Sequence, residues 1–122
     1  ALIRALHLRK TDRFIELLES GRLPLRPGIH RLMREAQAAG LLLGICTTSN
    51  ERSAAAITRG LLPDIRFAFV LAGDAVKRKK PDPQIYQMAL ERAGVAPEEC
   101  VVVEDSNIGA RAAVDPANRQ NP

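Results

Sequence analysis

Apolar and polar positions along the chain follow two rhythms. Leu2 and Leu6, then Phe14, Leu17 and Leu18, recur at helical spacing through residues 1–20, with Lys10-Thr11 interrupting the run. The pattern predicts two helices, the second capped by Thr11 and stopped at Gly21. Residues 22–28, Arg-Leu-Pro-Leu-Arg-Pro-Gly, read as an extended connector, because proline drives its predecessor out of the helical region. A helix is expected from near Pro27, with Ile29, Leu32, Met33 and Ala36 along one face and Gly40 at its end. Residues 41–46 are almost entirely apolar, as suits a parallel strand covered on both faces. Ser49 or Asn50 can cap a helix reaching about Arg59, and residues 67–71 form a second strand candidate. Pro83 opens a helix whose inward face is Ile85, Tyr86, Ala89, Leu90 and Ala93, ending at Gly94. Residues 100–103 make a third strand candidate, and a last helix starts at 109–113. Strands alternating with helices predict an α/β fold, a parallel sheet with right-handed crossovers.

Composition narrows this picture. With 122 residues and 46% hydrophobic content the chain suffices for one small domain, not two well-packed ones. Aromatic residues make up only 3%, so the core must rest on Leu, Ile, Val and Ala. No apolar run approaches the roughly 18–20 residues of a membrane-spanning helix, and no signal peptide is recognisable. A cytoplasmic protein with no membrane partner is expected. Cys46 and Cys100 each lie beside apolar residues in predicted strands, which suits buried, reduced thiols. His7 and His30 stand alone as surface helix residues, so cysteine and histidine offer no metal cluster. The net charge of +4 raises nucleic acid as a partner, with Lys77-Arg78-Lys79-Lys80 the densest basic run. No aromatic residues interleave with that run, so stacking platforms are missing and no nucleic-acid partner is expected. A basic loop of this kind would also attract anionic sugar phosphates.

Three segments carry candidate chemistry. In Val101-Val102-Val103-Glu104-Asp105-Ser106-Asn107-Ile108-Gly109, an apolar run ends in two carboxylates, a position suited to a divalent cation. In Ile45-Cys46-Thr47-Thr48-Ser49-Asn50, hydroxyls follow another apolar run directly. In Lys80-Pro81-Asp82-Pro83, a lysine precedes a rigid turn. Each segment alone has a plainer explanation: a solvated acidic turn, a helix cap, a surface lysine. Taken together at this order and spacing, they favour a functional site.

In this order the three segments resemble the haloacid dehalogenase superfamily of phosphotransferases. Thr47 matches the second motif of that superfamily, Lys80 the third, and Glu104 with Asp105 the fourth. With Leu25-Arg26-Pro27-Gly28 added, the wording is similar to the subgroup of CbbY-like sugar-phosphate phosphatases and beta-phosphoglucomutases, from roughly Leu8 to Ala113. The resemblance implies a partial Rossmann-like core over 29–113. Before it would come the C-terminal part of a helical cap over 1–21 and a cap-to-core linker over 22–28. It also implies Mg²⁺-dependent hydrolysis of a small phosphorylated sugar, xylulose bisphosphate among the candidates, through an aspartyl-phosphate intermediate. Asp105 would bind Mg²⁺ directly, with Glu104 in the same shell or acting through water. Lys80 would balance charge at the phosphoryl group, and the Thr47 hydroxyl and Thr48 N–H would hold a phosphoryl oxygen. Arg26, Ser49, Asn50 and Lys79 are positions that could meet a second phosphate or sugar hydroxyls.

The chain departs from the superfamily at its first motif. Asp-x-Asp-Gly-Thr carries the nucleophile, and no aspartate here lies two residues from another. The expectation is therefore a fragment, monomeric if folded and inactive alone, with residues 114–122 a disordered or aberrant tail. In the superfamily the strand bearing the first motif lies between the strands that end at Thr47 and Glu104. Without it, backbone groups would go unpaired at the middle of the sheet, and marginal stability is expected. Two other readings stay open: a phosphomutase fragment, and a non-enzymatic remnant or small basic module for an anionic partner.

Overall fold

The N-terminal amphipathic run forms one uninterrupted helix, α1 (Leu2–Glu19), in the computed structural model, which describes residues 1–119. The predicted break at Thr11 does not occur. Thr11 is buried within the helix, and its hydroxyl oxygen accepts a hydrogen bond from Asn50 Nδ2 at 3.0 Å. A threonine that reads as a cap from sequence thus serves as a tie between elements. α2 (Ile29–Ala38) follows the connector and starts from Gly28, whose φ of 84° is open to glycine at little cost.

Two short strands, β1 (Gly44–Cys46) and β2 (Phe69–Leu71), pair in parallel, with Ile45 opposite Val70. Between them lies α3 (Glu51–Leu61), capped by Asn50, whose Oδ1 accepts from the Ser53 N–H at 2.8 Å. After β2 come α4 (Gln84–Ala93), closed by a left-handed Gly94, and α5 (Asn107–Ala113), capped by the Ser106 hydroxyl. The result is an α/β arrangement, a parallel sheet flanked by helices, as the sequence predicts. α4 packs across β1 and β2, and α1 packs along α3. The core gathers Leu71, Val76, Ile85, Tyr86 and Ala112, with Cys46, Phe69 and Met88 at its margin.

Two expectations are corrected. Residues 100–103 form no strand: Val101 is 90% exposed and Val103 70%. An apolar run becomes a strand only when a neighbour takes up its backbone groups, and the described sheet consists of β1 and β2 alone. Cys100 is consequently exposed and not buried, whereas Cys46 is half-buried; both thiols are free. Part of the expected tail takes up regular structure. Pro116–Arg119 makes a short 3₁₀ turn, and buried Asn118 donates through Nδ2 to the carbonyls of Ala112 and Ala113 at the end of α5. The rest of the expected tail, residues 120–122, lies outside the described residues. Among the described residues, no helix is long and apolar enough to cross a membrane.

The register of β1 exposes a second constraint. Thr47 N–H donates to Leu71 O at 2.9 Å and Ala68 N–H donates to Leu43 O at 2.8 Å. Residues 43, 45 and 47 therefore direct their backbone groups toward β2, and Gly44 and Cys46 direct theirs to the opposite edge. No described strand pairs with that edge. Stability should suffer: far-UV circular dichroism of the purified chain is expected to give an unfolding midpoint below about 50 °C. A cooperative transition well above that would contradict this account.

Candidate active site

At the C-terminal end of β1 lies an open cavity of about 560 Å³. Six of the nine residues singled out from the sequence line it: Arg26, Thr47, Thr48, Lys80, Glu104 and Asp105. They come from four separated segments, so the fold supplies a convergence that no single motif contains. Ser49 and Asn50 do not line the cavity. Ser49 holds the turn, its N–H donating to Thr47 Oγ1 at 3.1 Å, while Asn50 is occupied as the cap of α3 and the partner of Thr11. Lys79 is exposed and also outside the lining.

The turn after β1 is fixed by a close backbone approach. Gly73 N–H donates to Ser49 O at 2.7 Å, and a Cβ at Gly73 would overlap the Thr48 carbonyl. The glycine therefore permits the loop after β2 to clamp residues 47–49. In the sequence Ala72-Gly73-Asp74 reads only as the close of the second strand candidate, and nothing there marks Gly73 as part of the site.

Lys80 is the most enclosed charge of the site, with only 6% of its side chain exposed. Its Nζ donates to Cys46 O at 3.1 Å, forms an ion pair with Glu104 Oε1, and sits 4.9 Å from the centre of the Tyr86 ring. The Cys46 carbonyl points to the free edge of β1, so this lysine satisfies one of the groups that the sheet leaves open. Glu104 in turn accepts from Tyr86 Oη at 2.9 Å and from Ser106 Oγ at 3.1 Å. Burial by itself raises the Glu104 carboxyl; the donors Lys80, Tyr86 and Ser106 outweigh it and hold the group below its ordinary value. Burial pushes the Cys46 thiol up to about 11 even though Lys80 pulls it down, so this thiol is no nucleophile at neutral pH. Burial, and then the Glu104 carboxylate, move the Tyr86 phenol upward as well.

Asp105 is the contrasting carboxylate. It is 67% exposed at the cavity mouth, where its Oδ2 meets Arg26 Nη2 at 2.8 Å. Exposed pairs of this kind exchange readily and add little stability, so Asp105 is the acid free to take another cation. Among the described residues no group of three or more His, Cys, Asp or Glu side chains converges as a metal cage. Gly109 completes the geometry, since a Cβ there would overlap the Glu104 carboxyl.

Gly109→Ala should displace Glu104 from Lys80 and destabilise the chain by about 1–3 kcal/mol, read by urea unfolding. The depressed Glu104 carboxyl also fixes a pH dependence. Its stabilising contribution is complete above the unfolded carboxylate value of about 4.3 and is lost as pH falls through the folded value. The stability gap between wild type and Glu104→Gln should therefore shrink from neutral pH toward about pH 3, whereas a constant gap would exclude the pairing.

Residues 3–115 match the hydrolase family described as haloacid dehalogenase-like hydrolase. A CBBY-like protein of Arabidopsis thaliana is 48% identical over 113 residues, 91% of this chain and 35% of that protein. The crystal structure of CbbY from Rhodobacter sphaeroides in complex with phosphate superposes with a TM-score of 0.84 at 41% identity, covering 93% of this chain and 52% of that one. A CbbY variant from the same organism, in complex with xylulose-(1,5)bisphosphate, gives a TM-score of 0.83 at 42% identity, with 91% and 51% covered. This chain thus spans between about a third and a half of the length of these relatives.

Proposed function

The chain belongs to the haloacid dehalogenase-like hydrolase family, and we propose that its cavity is the phosphate-holding portion of the active site of a phosphatase for small sugar phosphates. One observation carries the reading: Thr47, Lys80 and Asp105, distant in sequence, line a single cavity at the end of a parallel strand. That is where open α/β sheets place ligands. The relative bound to xylulose-(1,5)bisphosphate favours a bisphosphorylated sugar as the substrate class.

Phosphoryl transfer needs a nucleophile in line, compensation for charge on the phosphoryl oxygens, and a proton for the leaving group. The residues present address the second need. Lys80, held against Cys46 O and Glu104, offers a fixed positive charge. The Thr47 hydroxyl and Thr48 N–H, which line the cavity where β1 turns toward α3, would donate to a phosphoryl oxygen. Arg26, released from Asp105, could meet a second phosphate. The acid set suits Mg²⁺ in part. Magnesium keeps several waters and needs only one or two carboxylates beside the phosphate, and exposed Asp105 fits as such a ligand. Glu104, with its oxygens engaged by Lys80, Tyr86 and Ser106, fits better as a partner through water. A bound Mg²⁺ would neutralise charge between phosphate and protein.

A nucleophile is not among these residues, since the sequence contains no Asp-x-Asp pair. We expect the chain to bind orthophosphate without turning over phosphate esters, with Lys80→Ala weakening binding by at least about tenfold in calorimetric titration. Absence of phosphate binding by the wild-type chain would sink the reading. Turnover that Asp105→Asn abolishes would instead show that the chain carries a complete catalytic set.

A further inference from the structure

Tyr86 does not line the cavity, yet it touches both members of the buried ion pair. We infer that Tyr86 is a positioning residue that holds Lys80 ready for a phosphoryl oxygen, which rests on reading Lys80 as the cation that meets the phosphate. Three observations support the role. Tyr86 Oη donates at 2.9 Å to Glu104 Oε1, the same oxygen that pairs with Lys80. The carboxylate is therefore shared, and Lys80 does not have its charge to itself. The ring face supports the ammonium from a second direction, at 4.9 Å, with a contact that brings no formal negative charge. The phenol itself sits in a cluster with Leu71, Val76, Ile85 and Ala112, where phenylalanine would fill the same space. A hydroxyl in such surroundings costs stability unless it is bonded, so its role is its bond to Glu104.

The placement of Tyr86 suits this task. It lies in the first turn of α4, which packs on both strands, so the ring is fixed relative to the Cys46 carbonyl that also binds Lys80. Lysine has three N–H donors. One goes to Cys46 O and one to Glu104, and a carboxylate already occupied by a phenol is less able to draw in the third. Removing the hydroxyl should let Glu104 capture the ammonium more fully, at the expense of an incoming anion.

The test uses the full chain labelled with ¹⁵N, at low temperature. The wild type should show a slowly exchanging Lys80 ammonium resonance, and Tyr86→Phe should lose it or shift it while the backbone amide spectrum changes little. Orthophosphate affinity should fall by roughly three- to tenfold in the same variant. Tyr86→Leu should in addition abolish the upfield ring shift of the Lys80 methylenes, which Tyr86→Phe retains. An ammonium resonance that is missing in the wild type, or identical in Tyr86→Phe, overturns the inference. Should Tyr86→Phe unfold, the wild-type hydroxyl proton decides: slow exchange with cross-relaxation to the Lys80 ammonium supports it, and absence of that signal overturns it. A wild type that binds no orthophosphate but shows the coupled ammonium would defeat the functional reading alone.

Discussion

The buried pairing of Lys80 with Glu104 is the contact on which the rest of the site depends. Two charges withdrawn from water must satisfy each other, and breaking such a pair by removing one partner typically costs about 3–5 kcal/mol. Here the pair joins the end of the basic loop to the turn before α5. Further groups converge on it: Cys46 O from β1, the Tyr86 hydroxyl from α4, and the Ser106 hydroxyl that also caps α5. Cap, strand end and helix start are thereby tied through one ion pair, the strand end by Lys80 and the other two by Glu104. The cost of burying Glu104 is offset by donors whose own positions are set by packing.

This arrangement divides labour between two adjacent acids. Glu104 faces inward and is consumed by structure, whereas Asp105 faces outward and meets only the exposed Arg26. Neighbouring residues in an extended segment point to opposite sides, so a two-residue acidic motif delivers one carboxylate to the core and one to the cavity mouth. The glycine at 109 is a condition of the inward choice, because any side chain there would occupy the space of the Glu104 carboxyl.

Much of the fold was legible because its signals are local. Gly28 and Gly94 mark helix boundaries by positive φ, and Asn50 and Ser106 cap helices as their types suggest. The convergence of Thr47, Lys80 and Asp105 was legible through the order of the segments that carry them. What sequence could not reveal depends on partners. Val101-Val102-Val103 has the composition of a strand, but composition does not say whether a neighbour is present to bond it. Thr11 has the chemistry of a cap, and only the approach of Asn50 from α3 shows that its hydroxyl is used mid-helix. Tyr86 read as one more inward-facing apolar position, since helical periodicity identifies the ring but not what the hydroxyl reaches. Asn118 escaped notice for the same reason: a polar residue in a proline-containing stretch looks solvated until the carbonyls at the end of α5 are found beside it.

The free edge of β1 and the exposed valines at 101–103 have a consequence for the chain in solution. A strand edge that no described strand pairs with, beside exposed apolar side chains and with only its Cys46 carbonyl taken up by Lys80, is a template for any extended peptide, including another copy of the same chain. The carboxylates at 104 and 105 end the apolar run with negative charge, as gatekeeper residues do beside sticky strands, but Leu41 and Leu42 add further uncovered apolar surface ahead of β1. The fate of the isolated chain is thus set by concentration as much as by temperature: dilution preserves the open slot, and crowding with its own kind fills it.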